Sequence, residues 1–170
     1  MNKRILFKPK SDSGFTATEL LVVIILAGVI AAIAAPGWLG YLERRRLVTA
    51  QDTFYQALLN AQTGAQQTAS QRGVAVRVQG DEAEWTPFSG TSSTAGVWES
   101  FGPGVTIDTA STNAPEDTTN NLYYFTFDHK GNVVDSAAVS TGVFFHREQG
   151  SAVKRGVKIS TLLGALEKSN

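Results

Sequence analysis

An α+β protein is predicted, in which a long amino-terminal helix, first membrane-spanning and then amphipathic, packs against a carboxyl-terminal antiparallel β-rich domain. Three observations carry this. From Leu20 to Ala35 no residue has a polar side chain. From Leu42 to Ala69 apolar residues return every three or four positions, the period of a helix with one buried face. Beyond Gly73, short segments alternate apolar and polar residues with a period of two, as half-buried strands do. The 170 residues leave room for one ordinary domain, or a smaller one with an appendage, and exclude two large domains. With 15 basic and 15 acidic residues, 42% hydrophobic and 18% charged, the composition excludes global disorder and a wholly basic nucleic-acid binder. The absence of cysteine excludes disulfides and thiolate metal sites.

Residues 1–14 carry Lys3, Arg4, Lys8 and Lys10 against Asp12 alone, and an uncharged stretch runs from Leu20 through Leu42. Extended back to Phe15, the apolar run is about 20 residues, which at about 1.5 Å per residue matches a hydrocarbon core about 30 Å thick. Positive charge ahead of the span predicts a cytoplasmic amino terminus and an exported remainder. The triplet Arg44, Arg45 and Arg46 beyond the span opposes that orientation. Two simpler readings stand beside a specialised one: a signal peptide cut after Ala32-Ile33-Ala34, and a plain one-pass anchor. Both leave Glu19 without a reason, because a carboxylate inside a membrane helix costs a few kcal/mol and requires a partner.

The stretch Gly14-Phe15-Thr16-Ala17-Thr18-Glu19-Leu20-Leu21-Val22-Val23-Ile24-Ile25 resembles the class III leader and amino-terminal helix of type IV pilins and type II secretion pseudopilins. The resemblance implies that a prepilin peptidase cuts between Gly14 and Phe15, that Phe15 becomes N-methylated, and that Glu19 is the fifth mature residue. It also implies other pilin or pseudopilin subunits and an inner-membrane assembly platform as partners. Thr16-Ala17-Thr18 is more polar than the apolar trio usual there, a departure that touches no residue with an assigned role. The chemistry is coherent by itself. Cleavage at Gly14 creates an ammonium at Phe15 that is as costly in low dielectric as the Glu19 carboxylate, so each can neutralise the other between neighbouring subunits. Gly28 and Pro36 bracket a helical segment of low propensity. The resemblance implies that it can melt on assembly, while a static kink in a membrane helix is the plainer alternative.

After Pro36, Leu42, Leu47, Ala50, Phe54, Ala57, Leu58, Ala61, Ala65 and Ala69 form a narrow stripe of mostly small residues. Arg45, Gln51, Gln56, Gln62 and Gln66 lie between them. This predicts an amphipathic helix continuing the first to about Gln71, on the order of 85 Å in all, with Gly73 as its C-cap. Val74 to Val78, Tyr123 to Phe127 and Val157 to Ile159 read as strands. Asp128 to Asn132 reads as a hairpin tip with Gly131 at positive φ, and a second reversal is expected at Gln149-Gly150-Ser151. Short strands and long loops are expected from Gly80 to Asn121, least ordered from Thr109. The resulting divisions are 1–14 (leader), 15–36 (membrane-spanning or filament-core helix), 37–72 (amphipathic helix) and 73–170 (β-rich domain).

A long helix covered by β structure resembles the GspH/FimT group of minor pseudopilins. Phe125-Thr126-Phe127-Asp128-His129-Lys130-Gly131, then Lys154-Arg155-Gly156-Val157-Lys158-Ile159-Ser160, then Leu163-Gly164, are similar to its F-x-x-x-G, R-x-V-x-V-S and closing glycine. Some members serve natural transformation through arginines beside that glycine, but here Gly164 is followed by Ala165-Leu166-Glu167-Lys168. Lys154, Arg155 and Lys158 are a different basic group that could meet phosphates, though three charges give only modest, salt-sensitive affinity.

His129 and His146 have no metal-ligand spacing. No nucleophile elbow, Walker A loop or dinucleotide fingerprint is present. Asp81, Glu82 and Glu84 read as a solvated turn. No catalytic, metal or cofactor site is therefore expected. The expected product is a filament-forming structural subunit, a minor component of a type IV pilus or type II secretion filament. It would be single-pass in the cytoplasmic membrane and carry a periplasmic or extracellular domain; DNA binding for transformation is the less favoured alternative. Cleavage at Gly14 would take four basic residues and one acidic residue from the 15 and 15, leaving 11 and 14 and a net charge of −3.

Overall fold

The computed structural model describes residues 14–90, 96–147 and 153–169, so the leader before Gly14 and the reversal at Gln149-Gly150-Ser151 lie outside the described residues. One helix, α1 (Ala17–Thr68), is followed by β1 (Arg72–Gln79), β2 (Glu82–Ser89), β3 (Glu99–Ser100), β4 (Val105–Ile107), β5 (Glu116–Asp117), β6 (Leu122–Phe127), β7 (Thr141–Arg147), β8 (Arg155–Ile159) and β9 (Leu166–Ser169). By its internal contacts the chain divides into a unit ending at Gly40 and a second comprising Tyr41–Asn170, with α1 running through both.

In the first unit the helix presents bare apolar side chains, with Leu20 through Ile33 exposed. Gly28 meets nothing that an added Cβ would touch, and helical backbone continues through Pro36. This segment is long and apolar enough to cross a membrane.

In the second unit the stripe predicted from the periodicity is the buried face from Leu47 to Ala65, while Leu42 is half-buried and Ala69 lies exposed beyond the helix end. Leu47, Ala50, Phe54, Ala57, Leu58, Ala61 and Ala65 pack beneath two antiparallel sheets, ordered β3-β2-β1-β6-β5 and β4-β7-β8-β9. Phe54 joins them. Its ring lies 6.3 Å from Phe125 in β6 of one sheet and 5.7 Å from Phe145 in β7 of the other, and 6.1 Å from Phe101 in the loop after β3. Because the neighbouring stripe positions are mostly alanine, both sheets can approach the helix closely around this ring. β1 is buried on both sides, since Val74 and Val76 belong to the main core while Ala75 joins Phe88 and Leu122 in a smaller cluster on the opposite face.

Several expectations change. The helix ends at Thr68, and Gly73 lies within β1, opposite Phe88 and Thr126. The cap is Ala69, at φ +50°, and Ser70 N–H donates to Ala65 O, the bond of a Schellman turn. Gly73 answers a different need: a Cβ there would run into the Phe88 ring and the Phe125 carbonyl. The glutamines placed between apolar positions are not all solvent-facing either. Gln51, only 2% exposed, donates through Nε2 to Gly156 O (2.6 Å) and Ser169 O (2.8 Å), which close the end of the β8–β9 ladder. Gln62 Nε2 donates to Gly131 O (2.8 Å), and Gln66 Nε2 to Lys130 O (3.0 Å).

The region from Gly80 onward also holds more structure than expected. β2 pairs with β1 along its whole length, and Pro87 fits because β3 covers β2 only at Glu84 and Trp85, leaving the proline on an open edge. The hairpin tip at Asp128 forms as read, with Gly131 at φ +81° and Val133 bridging back to Phe127. Burial raises the Asp128 pKa, but hydrogen bonds from the Asn132 and Lys130 N–H groups outweigh it and hold the carboxyl below the usual range.

Two substitutions near the helix end should have opposite signs. Ala69→Gly relieves left-handed strain and is expected to stabilise the chain by about 0.5–1 kcal/mol. Gly73→Ala forces apart β1 and its neighbours and is expected to destabilise by about 1–3 kcal/mol. Urea titrations of the detergent-solubilised protein followed by circular dichroism check both.

Candidate functional site

The candidate site is the start of α1, where Gly14, Phe15 and Glu19 come within a few residues of one another. Phe15 is 84% exposed and precedes the first helical turn. Thr16 occupies the N-cap position and Glu19 is the third residue of the helix. Thr16 N–H and Thr16 Oγ1 both donate to Glu19 Oε2 at 2.9 Å, and Glu19 N–H donates back to Thr16 Oγ1 at 3.2 Å. This is a capping box, in which two amides left unpaired by the helix start are satisfied reciprocally. It gives Thr16 a role beyond being a departure from the apolar trio, and the T-x-x-E spacing that signals such a box is present in Thr16-Ala17-Thr18-Glu19.

The arrangement has a chemical consequence. The Thr16 bonds all fall on Oε2, which leaves Oε1 as the acceptor for an outside cation. The carboxylate also lies beside the positive end of the helix dipole, where negative charge is favoured. Immediately after it comes the exposed apolar face from Leu20 to Ile33. One strong acceptor at the head of a long apolar helix is suited to fixing the register of helix against helix.

The basic group Lys154, Arg155 and Lys158 has a different character. Lys154 forms an ion pair with Asp108 and donates to Ser111 Oγ at 2.9 Å. Lys158 lies over the Phe144 ring at 5.4 Å, and Arg155 also interacts within the chain. Asp108 is itself buried. Desolvation raises its pKa, but the Lys154 and Ser111 hydrogen bonds and the Lys154 charge outweigh this, so the net shift is downward.

Of the acids read as a solvated turn only Asp81 lies in the turn; Glu82 and Glu84 are half-buried in β2, where Glu84 accepts from Arg77 at 2.9 and 3.0 Å and Glu82 from Ser100 Oγ at 3.0 Å. A surface groove of about 490 Å³ is lined by Phe88, Tyr124, Glu116, Asp117 and Asp135 among others. Asp117 there is bound to Thr119 and Asn120, and Asp135 to Ala137 N–H. Among the described residues no group of His, Cys, Asp or Glu is placed to hold a metal ion.

No family model matches the sequence, and no curated protein matches it. Among solved structures, the fold is similar to that of the type IV minor pilin FimU of Pseudomonas aeruginosa strain PAO1. In one crystal form the TM-score is 0.53 at 14% identity, covering 76% of this chain and 92% of that one. In a second form it is 0.50 at 13% identity, covering 73% and 93%. The chain therefore has a pilin fold, a long amino-terminal helix packed on antiparallel sheets.

Two outcomes follow from this geometry. Thr16→Ala removes the reciprocal cap and is expected to cost about 1 kcal/mol of local helix stability. Faster amide exchange at Ala17–Glu19 in micelles, with unchanged exchange in the β strands, would register it. Asp108 and Asp128 have pKa values lower in the folded state than the unfolded value of about 3.9, so their stabilisation is full above that pH and fades as pH falls through the lower folded values. Acid titration should show stability declining below about pH 4, less steeply in Asp108→Asn.

Proposed function

We propose that this chain is a structural subunit of a type IV pilus or type II secretion filament, present as a minor component of the GspH/FimT kind. The observation that carries the proposal is the exposed apolar helix from Leu20 to Ile33, headed by Glu19 and by the Gly14-Phe15 junction. Its support is physical. A soluble domain gains nothing by holding such a surface bare, whereas a membrane first and a bundle of like helices later would each cover it. The likeness of fold to a type IV minor pilin supports the same reading.

In this scheme a prepilin peptidase acting at the cytoplasmic membrane cuts after Gly14, and the new amino group at Phe15 is methylated. The subunit waits as a single-pass protein, its amino terminus cytoplasmic and its β domain exported, with Glu19 tied to Thr16. On delivery to the assembly platform, Oε1 of Glu19 receives the terminal ammonium of a neighbouring subunit, and the two charges neutralise each other in a medium where neither alone is tolerated. Apolar contacts along Leu20 to Ala35 then supply the packing. Gly28 and Pro36 mark the segment that yields if the helix must shorten or bend to fit.

The test is incorporation. Glu19→Ala and Glu19→Gln are expected to leave the precursor abundant in membranes while reducing its share of sheared filaments at least tenfold. Normal incorporation of both variants would reject the docking role of Glu19.

A further inference from the structure

Arg44, Arg45 and Arg46 follow the apolar run and are all exposed. Several basic side chains of the β domain are placed differently. Arg77, Arg147, Lys154 and Lys168 each meet a carboxylate within the chain. The acid adjacent to the triplet, Glu43, is already engaged by Arg147, and the next acid along the helix, Asp52, is engaged by Lys168. Among the described residues the three guanidinium groups have no partner, so three positive charges stand uncompensated on one turn of helix.

Their spacing says what kind of partner fits. Consecutive helical residues point about 100° apart, so three in a row fan across about 200° of the circumference. The remaining arc, toward Glu43, Leu47 and Ala50, is covered by the β domain. A single protein surface docks on a stripe of residues three and four apart and would reach only part of this fan. A partner surrounding the helix on its open sides would reach all of it. The uncharged helix runs on past Ala35 through exposed Trp38, Leu39 and Tyr41, a mix of apolar and aromatic side chains suited to a membrane–water interface, and the triplet is the first basic group after it, where the chain meets headgroups. Arginine, with its planar fork of donors, matches phosphate oxygens in pairs.

We infer that Arg44, Arg45 and Arg46 form a collar for the phosphates of anionic phospholipids on the exported face of the membrane. The collar holds the β domain against the bilayer until the subunit leaves it for the filament. It also accounts for basic residues on the side of the span where they oppose orientation: they act on headgroups there rather than as a topology signal. This inference rests on the membrane-anchored state proposed above.

The experiment uses the full chain reconstituted into vesicles of phosphatidylcholine with 20 mol% phosphatidylglycerol, roughly the anionic content at which basic clusters respond to surface charge. Selectivity is read as the relative association of spin-labelled phosphatidylglycerol over spin-labelled phosphatidylcholine in the boundary layer. The variants are R44Q/R45Q/R46Q, R44K/R45K/R46K, and K130Q/K158Q, two exposed or half-exposed lysines of the β domain without an ion pair among the described residues, as a control. The leader's basic residues are the same in all of them, so the readout is the difference from wild type. A selectivity that falls about threefold or more in the glutamine variant, survives in the control, is partly kept by lysine, and weakens in wild type as salt rises from about 0.05 to 0.5 M supports the collar. Selectivity unchanged in the glutamine variant overturns it, and directs attention to an acidic protein surface instead. If wild type fails to float with the vesicles at all, the membrane-anchored reading fails first, and the collar with it.

Discussion

The second unit depends on one contact: the Phe54 ring set between Phe125 and Phe145, one from each sheet, with Phe101 against its edge. A helix lying under two sheets needs a single point at which all three agree in spacing. A large ring flanked by Ala50, Ala57, Ala61 and Ala65 supplies it, because alanine keeps the sheets close and phenylalanine fills the gap they leave. Burying such a side chain is worth about 1.5–3 kcal/mol. Geometry matters more than that sum, since residues packed on Phe54 belong to strands far apart in sequence.

Around that apolar centre the helix uses amides as clips. Gln51 ties the end of the β8–β9 ladder, while Gln62 and Gln66 hold the hairpin tip at Lys130 and Gly131. Each donates to a backbone carbonyl of the β domain, and for Gln51, the one that is buried, the two bonds compensate the burial of its amide. Ion pairs at Glu43–Arg147 and Asp52–Lys168 add further ties between the helix and the second sheet. The first unit is the opposite case. Its apolar side chains have no cover within the chain, and its polar chemistry is concentrated in the Thr16–Glu19 box at the very start.

What could be read from the sequence follows the strength of each local signal. The apolar run, the alanine stripe and the strands around Val76, Phe125 and Val157 were legible because composition and period agree there. The glutamines were misjudged because helical periodicity sorts residues into apolar and polar, whereas Gln51 is buried with its amide paired. The helix end was misplaced because glycine is the usual left-handed cap, and here Ala69 takes that conformation while Gly73 makes room for Phe88. β2 was obscured by Pro87, and β9 by Glu167 and Lys168, whose weak β preference is overridden by pairing with β8. At the candidate site, Glu19 was legible as an acid with no business in an apolar helix. Its bond to Thr16 is harder to read, because a threonine there breaks the apolar pattern of the helix start at the same time as it supplies half of a cap.

The central claim, that Glu19 and a newly made terminus at Phe15 turn an exposed apolar helix into a filament contact, is tested most directly by the mature amino terminus. Intact mass and amino-terminal sequencing of the protein recovered from the membrane and the cell exterior are the measurement. The account predicts a chain beginning at N-methylated Phe15, lacking residues 1–14 and keeping the whole helix. A chain beginning at Ala35, stripped of Glu19 and of the apolar run, would contradict it.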